Sequence, residues 1–515
     1  MFRQAGFNVV MAALFVIGAI IGLYFQFSYH KFLNFDTLSY INIAERYAAG
    51  DWEHAVNGCW SPLYSWILAI CKLASIPLLP ACYILNFIAA GCCFVLSLKL
   101  AARYIKHSLL FSFLGFYALQ FFLYYGMSTL TPDLLSTAAA LWFILLISDE
   151  RYISSKQIAI WAGIAAGIMY YAKLYNFVML QLFFIVSIAF QLVKSKTIFH
   201  PLIKQLAKTW SVFMAVSLIW ITILSIHENK VTFSTTGRFT HNLMNPDYSQ
   251  KYPLYRNLYE PPFKEAYSIM INPVHLLDEY EWSPFENSRF LKYQLKLVLA
   301  SFQYYINILD SFKIKLIVLT GILVLLFINR KKIVFPKQKG LTQIVLFFLL
   351  YPILYFPIFI VDRYILVCIL LFHFFIFYLA GFISQIASKK LIAAAATIII
   401  IASLIPVFIN GRKKLMVSTG EYAYYKSFYN KLNDVGFLRN QRIAADEPSG
   451  LEVIQLCYHL NCRYYCTWKD KQYNSLKAFN IRYFISKKDQ ASFPFLHLKE
   501  KMPGEKETIY IYEVQ

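Results

Sequence analysis

Four charged side chains stand where long apolar runs meet polar sequence, and their types suit group transfer from a phosphate. Asp36 follows the first apolar run, in Phe35-Asp36-Thr37-Leu38-Ser39-Tyr40. A carboxylate there can take the proton of an attacking hydroxyl; it can equally cap a helix over 37–49. Asp133 follows Thr131-Pro132 at the head of another apolar run. It can bind a polar acceptor alongside Asp36, or simply complement a helix dipole. Lys173, in Tyr170-Tyr171-Ala172-Lys173-Leu174-Tyr175-Asn176, offers a cation to a phosphate, or snorkels to lipid headgroups. Arg363, between Asp362 and Tyr364, offers a planar fork for phosphate, or an ion pair with Asp362.

The chain that must position these groups is apolar almost throughout. Of its 515 residues 58% are hydrophobic and only 15% charged, with mean hydropathy +0.50. A soluble domain carries roughly 25% charged residues. Apolar runs of about 20 residues recur, the signature of a polytopic helical membrane protein. Residues 8–27 are long enough to span, and no small-residue cleavage site follows them, so they read as the first transmembrane helix. The net charge of +21 collects in short loops between apolar runs, where it meets anionic lipid and sets orientation. Membrane lipids, not nucleic acid, are the partners this pattern implies.

Basic clusters set the topology. Lys99/Arg103/Lys106, Arg151/Lys156, Lys194/Lys196/Lys204/Lys208, Arg330/Lys331/Lys332/Lys337/Lys339 and Lys389/Lys390 are all assigned to the cytoplasmic side. Each pair must then be separated by an even number of crossings. Residues 62–79 and 291–309 are therefore placed in the outer interface instead of across the bilayer. The remaining runs, 8–27, 82–104, 108–127, 132–148, 157–171, 176–193, 209–227, 312–329, 341–360, 364–383 and 391–410, make about eleven transmembrane helices. Asp36, Asp133, Lys173 and Arg363 then share one membrane face. So do two outer loops, 28–61 and 228–290, the second rich in Tyr, Asn and Pro.

After residue 411 the apolar runs end. A helix (422–433), a strand (442–445), a helix (449–460), a strand (463–467), a helix (471–479), a strand (482–486) and a last strand (508–514) predict a small α/β domain over 412–515. It has no Gly-rich phosphate loop. Cys457, Cys462 and Cys466 lie within it. They suit one disulfide plus a free thiol in an oxidising compartment better than a zinc site, whose spacing they lack. The chain carries no HExxH, GxSxG or P-loop pattern, and a divalent metal has no clear ligand set.

The order of these motifs resembles the GT-C membrane glycosyltransferases. Asp36-Thr37-Leu38-Ser39-Tyr40, an amphipathic stretch ending Ala49-Gly50-Asp51-Trp52, and Ser61-Pro62-Leu63-Tyr64 are similar to that family's first outer loop. Thr131-Pro132-Asp133 resembles its second acidic motif, and Asp362-Arg363-Tyr364 the "RY" that opens a late helix. Similar members include the bacterial aminoarabinose transferases of lipid A and the protein O-mannosyltransferases. The resemblance implies a GT-C domain over 1–411 in the bacterial inner membrane, with the site and the tail on the periplasmic side. It implies a polyprenyl-phosphate-linked sugar as donor, a lipid or glycan acceptor, and inverting transfer; a divalent metal, used by some members, is possible. Asp36 and Asp133 are then catalytic, Lys173 and Arg363 hold the donor phosphate, and Tyr40, Trp60, Tyr64 and Tyr364 contact the substrates.

Two other readings share the composition. A transporter or flippase predicts charges at mid-membrane and broken helices in both halves. A polysaccharide polymerase or ligase predicts catalytic Arg or His in a long outer loop, here Arg238, His241 and Arg256.

Overall fold

The computed structural model describes residues 33–276, 281–310, 313–331, 340–383, 430–446, 450–490, 492–503 and 508–515, with a few isolated positions besides. The expected helices 8–27 and 391–410, and most of 422–433, lie outside the described residues. The chain forms two compact units. One comprises residues 1–28, 83–233 and 291–411; the other comprises 29–82, 234–290 and 412–515. The expected boundary near 411 is therefore joined by others, because both outer loops belong to the same unit as the tail.

In that second unit α1 (Phe35–Ala48) begins at an Asn34 cap, whose side chain accepts from the Thr37 amide at 2.7 Å. It ends where Gly50 takes φ +74, a conformation that suits glycine. After a single turn of helix at Trp52–Ala55, α2 (Pro62–Leu73) opens with proline at its first position. Its 12 residues make about 18 Å, too short to span a bilayer. The expected continuous segment 62–79 is broken, since Ser75 turns left-handed (φ 61) and Pro77 follows. Leu78 then starts the next helix, four residues earlier than expected.

The first unit is a bundle of apolar helices: α3 (Leu78–Tyr104), α4 (Ser108–Ser128), α5 (Asp133–Ile147), α6 (Lys156–Ala172), α7 (Tyr175–Ser195), α8 (Pro201–His227), α9 (Ser288–Leu309), α10 (Ile314–Ile328), α11 (Leu341–Leu350) and α12 (Leu366–Ile383). Among the described residues five helices are long and apolar enough to cross a membrane, or six if the α9–α10 pair, bent by 81°, is one span. Helix α8 starts at Pro201, so Lys204 and Lys208, expected in a loop, lie on its first turns. The expected helix 341–360 stops at Leu350. Pro352 cannot donate to the ladder, and a 3₁₀ turn, Ile353–Tyr355, replaces it. Helices α6 and α8 pack through Gly163 and Gly167: a Cβ on Gly163 would stand 2.7 Å from the Thr209 carbonyl oxygen, and one on Gly167 would collide with Val216.

The tail is a five-stranded sheet in the order β2-β1-β3-β5-β4, from β1 (Arg442–Ala445), β2 (Arg463–Thr467), β3 (Tyr483–Ser486), β4 (Leu496–Pro503) and β5 (Thr508–Val514). Strands β1, β2 and β3 are parallel, joined through α13 (Gly450–Leu460) and α14 (Tyr473–Ala478); β5 and β4 add antiparallel. Its core is Ala444, Tyr465, Trp468, Leu476, Phe484 and Tyr512 with their neighbours. Strand β4 has no counterpart in the sequence reading. Its Lys499-Glu500-Lys501 run and a register shift between Leu498 and Glu500 suit an exposed edge and hide the alternation. The outer edge of β2 is covered by the long loop. The Tyr464 amide donates to the Tyr267 carbonyl (2.8 Å), the Tyr259 amide to that of Tyr465 (2.9 Å), and the Thr467 hydroxyl to that of Leu254 (2.8 Å).

All nine cysteines are free thiols, which corrects the expected disulfide. Cys457 and Cys462 point to different backbone partners, Tyr267 and Leu438. Burial raises the Cys462 thiol to about 12 and pushes Cys457 and Cys466 up as well.

Candidate active site

In the first unit three chain segments deliver charge to one carboxylate. Asp133 is the first residue of α5, with Pro132 fixing the entry, and is 7% exposed. Lys173 is the C-terminal cap of α6. Its extended backbone (φ −153, ψ 113) ends the helix two residues before α7 begins. Arg363 lies in the 3₁₀ turn Asp362–Ile365 that leads into α12. The Lys173 ammonium donates to Asp133 Oδ1 at 2.6 Å, the Thr131 hydroxyl donates to Oδ2 at 2.6 Å, and the Arg363 guanidinium stands 4.0 Å from Oδ2. A charge-assisted hydrogen bond is about 2.7–2.9 Å long. Arg363 therefore adds positive charge without a short bond tying it to Asp133.

Aromatic rings frame the cations. The Lys173 ammonium lies 3.8 Å from the Tyr364 ring centroid and 5.7 Å from that of Tyr355. Tyr355 is stacked between Tyr175 (3.8 Å) and Tyr364 (5.3 Å). Asp362 accepts the Tyr125 hydroxyl at 2.7 Å and the Arg363 backbone amide at 2.8 Å. One buried carboxylate with two cations carries a net positive charge, which suits an anion more negative than the carboxylate already present.

In the second unit Asp36 lies in the first turn of α1 and is half-buried. It is not the cap: the helix starts two residues earlier than expected, and Asn34 takes that role for both the amide (2.7 Å) and the hydroxyl (2.9 Å) of Thr37. One turn on, the Tyr40 ring meets Trp60 edge-on at 5.1 Å and Tyr64 at 5.3 Å. Cys59 lies within the field of Asp36; burial first, and that charge second, raise its thiol. Tyr64 is fully buried. Helix α2 turns Tyr64, Ser65 and Leu68 inward, and the Ser65 hydroxyl donates to the Tyr40 carbonyl at 3.1 Å.

The long-loop residues have structural partners. Arg256 is 5% exposed, stacked on Tyr248, and donates to the carbonyls of Gln250 (2.6 Å) and Lys251 (2.9 Å). His241 stacks on Trp282 at 4.5 Å, and Arg238 pairs with Glu281 at 3.0 Å. Among the described residues no group of three or more His, Cys, Asp or Glu is gathered closely enough to hold a metal ion. The sequence reading missed Tyr355 and Tyr175, because the helix break at Pro352 conceals the register that turns Tyr355 toward Lys173.

No family model matches the chain, and no curated protein matches it by sequence. Among solved structures it is similar to ArnT from Cupriavidus metallidurans bound to undecaprenyl phosphate. The TM-score is 0.59 at 10% identity, covering 98% of both chains. The apo state of that protein matches with TM-score 0.46 at 11% identity, over 99% of this chain and 98% of the other. The chain thus has an ArnT-like fold: mostly helical, with five or six candidate membrane spans among the described residues and a small C-terminal sheet domain. The likeness runs over nearly the whole length of both chains.

Proposed function

We propose that this protein is a membrane glycosyltransferase that moves a sugar from a polyprenyl-phosphate carrier to a hydroxyl or phosphate of a lipid or surface-glycan acceptor. The observation that carries the proposal is the buried meeting of Lys173 and Arg363 on Asp133, in a fold shared with a protein solved with undecaprenyl phosphate bound. Lys173 and Arg363 hold the donor phosphate and stabilise the charge it gains as the sugar leaves. Asp133 holds the two cations in place between donors. Asp36 takes the proton of the acceptor as it attacks the anomeric carbon, which is inverted. Tyr364 and Trp60 border the substrates. In this reading the protein sits in a bacterial inner membrane with its chemistry and tail on the periplasmic face.

The test is direct. Purified protein is mixed with a polyprenyl-phosphate-linked sugar and candidate acceptors, and release of free polyprenyl phosphate is followed. The proposal requires acceptor-dependent release that Asp36→Asn abolishes while the variant still folds. Full activity in Asp36→Asn sinks the base assignment. If no donor is consumed with any acceptor, the reaction itself is wrong.

A further inference from the structure

The stretch that borders Asp36 takes its shape from one buried amide. Asn57 is 2% exposed. Its Oδ1 accepts from the backbone amides of Cys59 (2.7 Å) and Trp60 (3.1 Å), and its Nδ2 donates to the Ile271 carbonyl in the long outer loop (2.7 Å). The bonds around it run the same way. The Trp60 indole donates to the Met270 carbonyl at 2.9 Å, the Thr235 amide to the Gly58 carbonyl at 2.7 Å, and the Thr236 hydroxyl to the Cys59 carbonyl at 2.7 Å. Gly58 itself leaves no room, since a Cβ there would stand 2.9 Å from the Thr235 side chain. Residues 57–60 are thus folded into a tight turn by Asn57 and fastened to the long loop by the same side chain. That turn places Trp60 against Tyr40, one helical turn from Asp36, and Cys59 within the field of the Asp36 carboxylate.

We infer that Asn57 is a positioning residue: it sets the wall that an acceptor meets beside Asp36 and couples that wall to the long outer loop. The inference rests on the reaction proposed above. A buried amide with both ends committed is expensive to disturb, because its removal leaves two backbone N–H groups and a carbonyl to find other partners. Its effect on the reaction follows from geometry, since small displacements of a positioned group cost far more rate than affinity. The donor cations lie on other elements, so a loss confined to the Asp36 side leaves donor binding alone.

Two variants divide the two arms. Asn57→Ala removes both. Asn57→Asp keeps an acceptor for Cys59 and Trp60 but sets a carboxylate oxygen against the Ile271 carbonyl oxygen, so the fastening turns repulsive while the turn keeps its bonds. Thr467→Val serves as control. It removes another buried bond that anchors the long loop, from Thr467 to the Leu254 carbonyl, and leaves the 57–60 turn's own bonds in place. Steady-state kinetics with a polyprenyl-phosphate sugar, thermal unfolding, and maleimide labelling of Cys59 read by peptide mass spectrometry are compared. The expected result is a fall in kcat of about 30-fold or more in both Asn57 variants, with donor KM within about twofold of wild type. Thr467→Val keeps kcat within about twofold at a comparable loss of thermal stability. Cys59 labels faster in the Asn57 variants than in Thr467→Val. Wild-type kcat in both Asn57 variants, or an equal fall in Thr467→Val, overturns the inference. If the wild type consumes no donor, the proposed reaction fails on its own account. Cys59 labelling in the Asn57 variants no faster than in Thr467→Val then overturns the positioning as well.

Discussion

Lys173 is held from two sides, by the Asp133 carboxylate at 2.6 Å and by the Tyr364 ring at 3.8 Å. The aromatic contact needs only the charge and its place, whereas the carboxylate contact competes with any incoming phosphate. Lys173→Gln keeps hydrogen-bond donors and loses the charge. A hydrogen bond to a charged group is worth about 1.5–3 kcal/mol. The variant is therefore expected to raise donor KM by roughly ten- to a hundredfold. Arg363→Lys keeps the charge but loses the fork, so a smaller loss, about three- to tenfold, is expected if the guanidinium grips phosphate through two bonds. Both are checked by donor titration, and an unchanged KM in Lys173→Gln removes the lysine from the donor site. Apolar runs and basic clusters put Asp133, Lys173 and Arg363 on one membrane face; that Asp133 pairs directly with the two cations was not legible. Asp133 reads as a partner of Asp36 when only membrane depth is considered. Its contact with Lys173 spans 40 positions of chain and depends on where α6 stops. The burial of Tyr64 on the inward face of α2 was not legible either, since it depends on what packs against that helix.

At the scale of elements, the helices that carry the site are set by small residues and by breaks. Gly163 and Gly167 let α8 approach α6, the helix that ends in Lys173. A larger side chain at Gly163 meets the Thr209 backbone oxygen at 2.7 Å, which cannot swing aside as a side-chain tip can. Gly163→Val is expected to separate the helices, to lower the thermal midpoint by several degrees and to weaken donor binding through Lys173. Gly237→Ala, where a Cβ meets nothing within 4 Å, leaves both unchanged. Scanning fluorimetry with donor titration checks the pair. Apolar runs and basic clusters made most of these helices readable in advance. Their ends were less so, because Pro201 extends α8 outward and Pro352 cuts the next segment short. Proline is legible in both places, but whether it opens a helix or breaks one depends on what packs around it.

At the scale of the whole chain, the unit that contains Asp36 is assembled from three distant stretches, 29–82, 234–290 and 412–515. Composition separates the tail from the apolar runs. It does not reveal that the tail shares its unit with the outer loops, since backbone pairing across 200 residues leaves no local signal. The pairing makes a prediction that needs no substrate. The long loop lies on the free edge of β2 through the Leu258 and Cys466 bridge, the Ser268 and Tyr464 bridge, and the amides of Tyr259 and Tyr464. If the loop is part of the sheet's cooperative unit, the Tyr259 amide should exchange with solvent hydrogen as slowly as those of β1. If it merely rests there, peptides covering 254–271 should exchange orders of magnitude faster than the strands. The thiols report the same state by a second route. Cys457 and Cys466 are buried beneath this contact, and burial holds both thiols in the unreactive protonated form. At pH 8 the native protein should resist maleimide at Cys457, Cys462 and Cys466 while the unfolded chain reacts at all three. Displacing the loop, as with Thr467→Val combined with Tyr259→Pro, which removes the amide that donates to Tyr465, should then accelerate exchange at 254–271 and labelling at Cys466 together. Labelling that rises while loop exchange stays slow would mean that the sheet opens from its other edge, and that the loop contributes nothing to its closure.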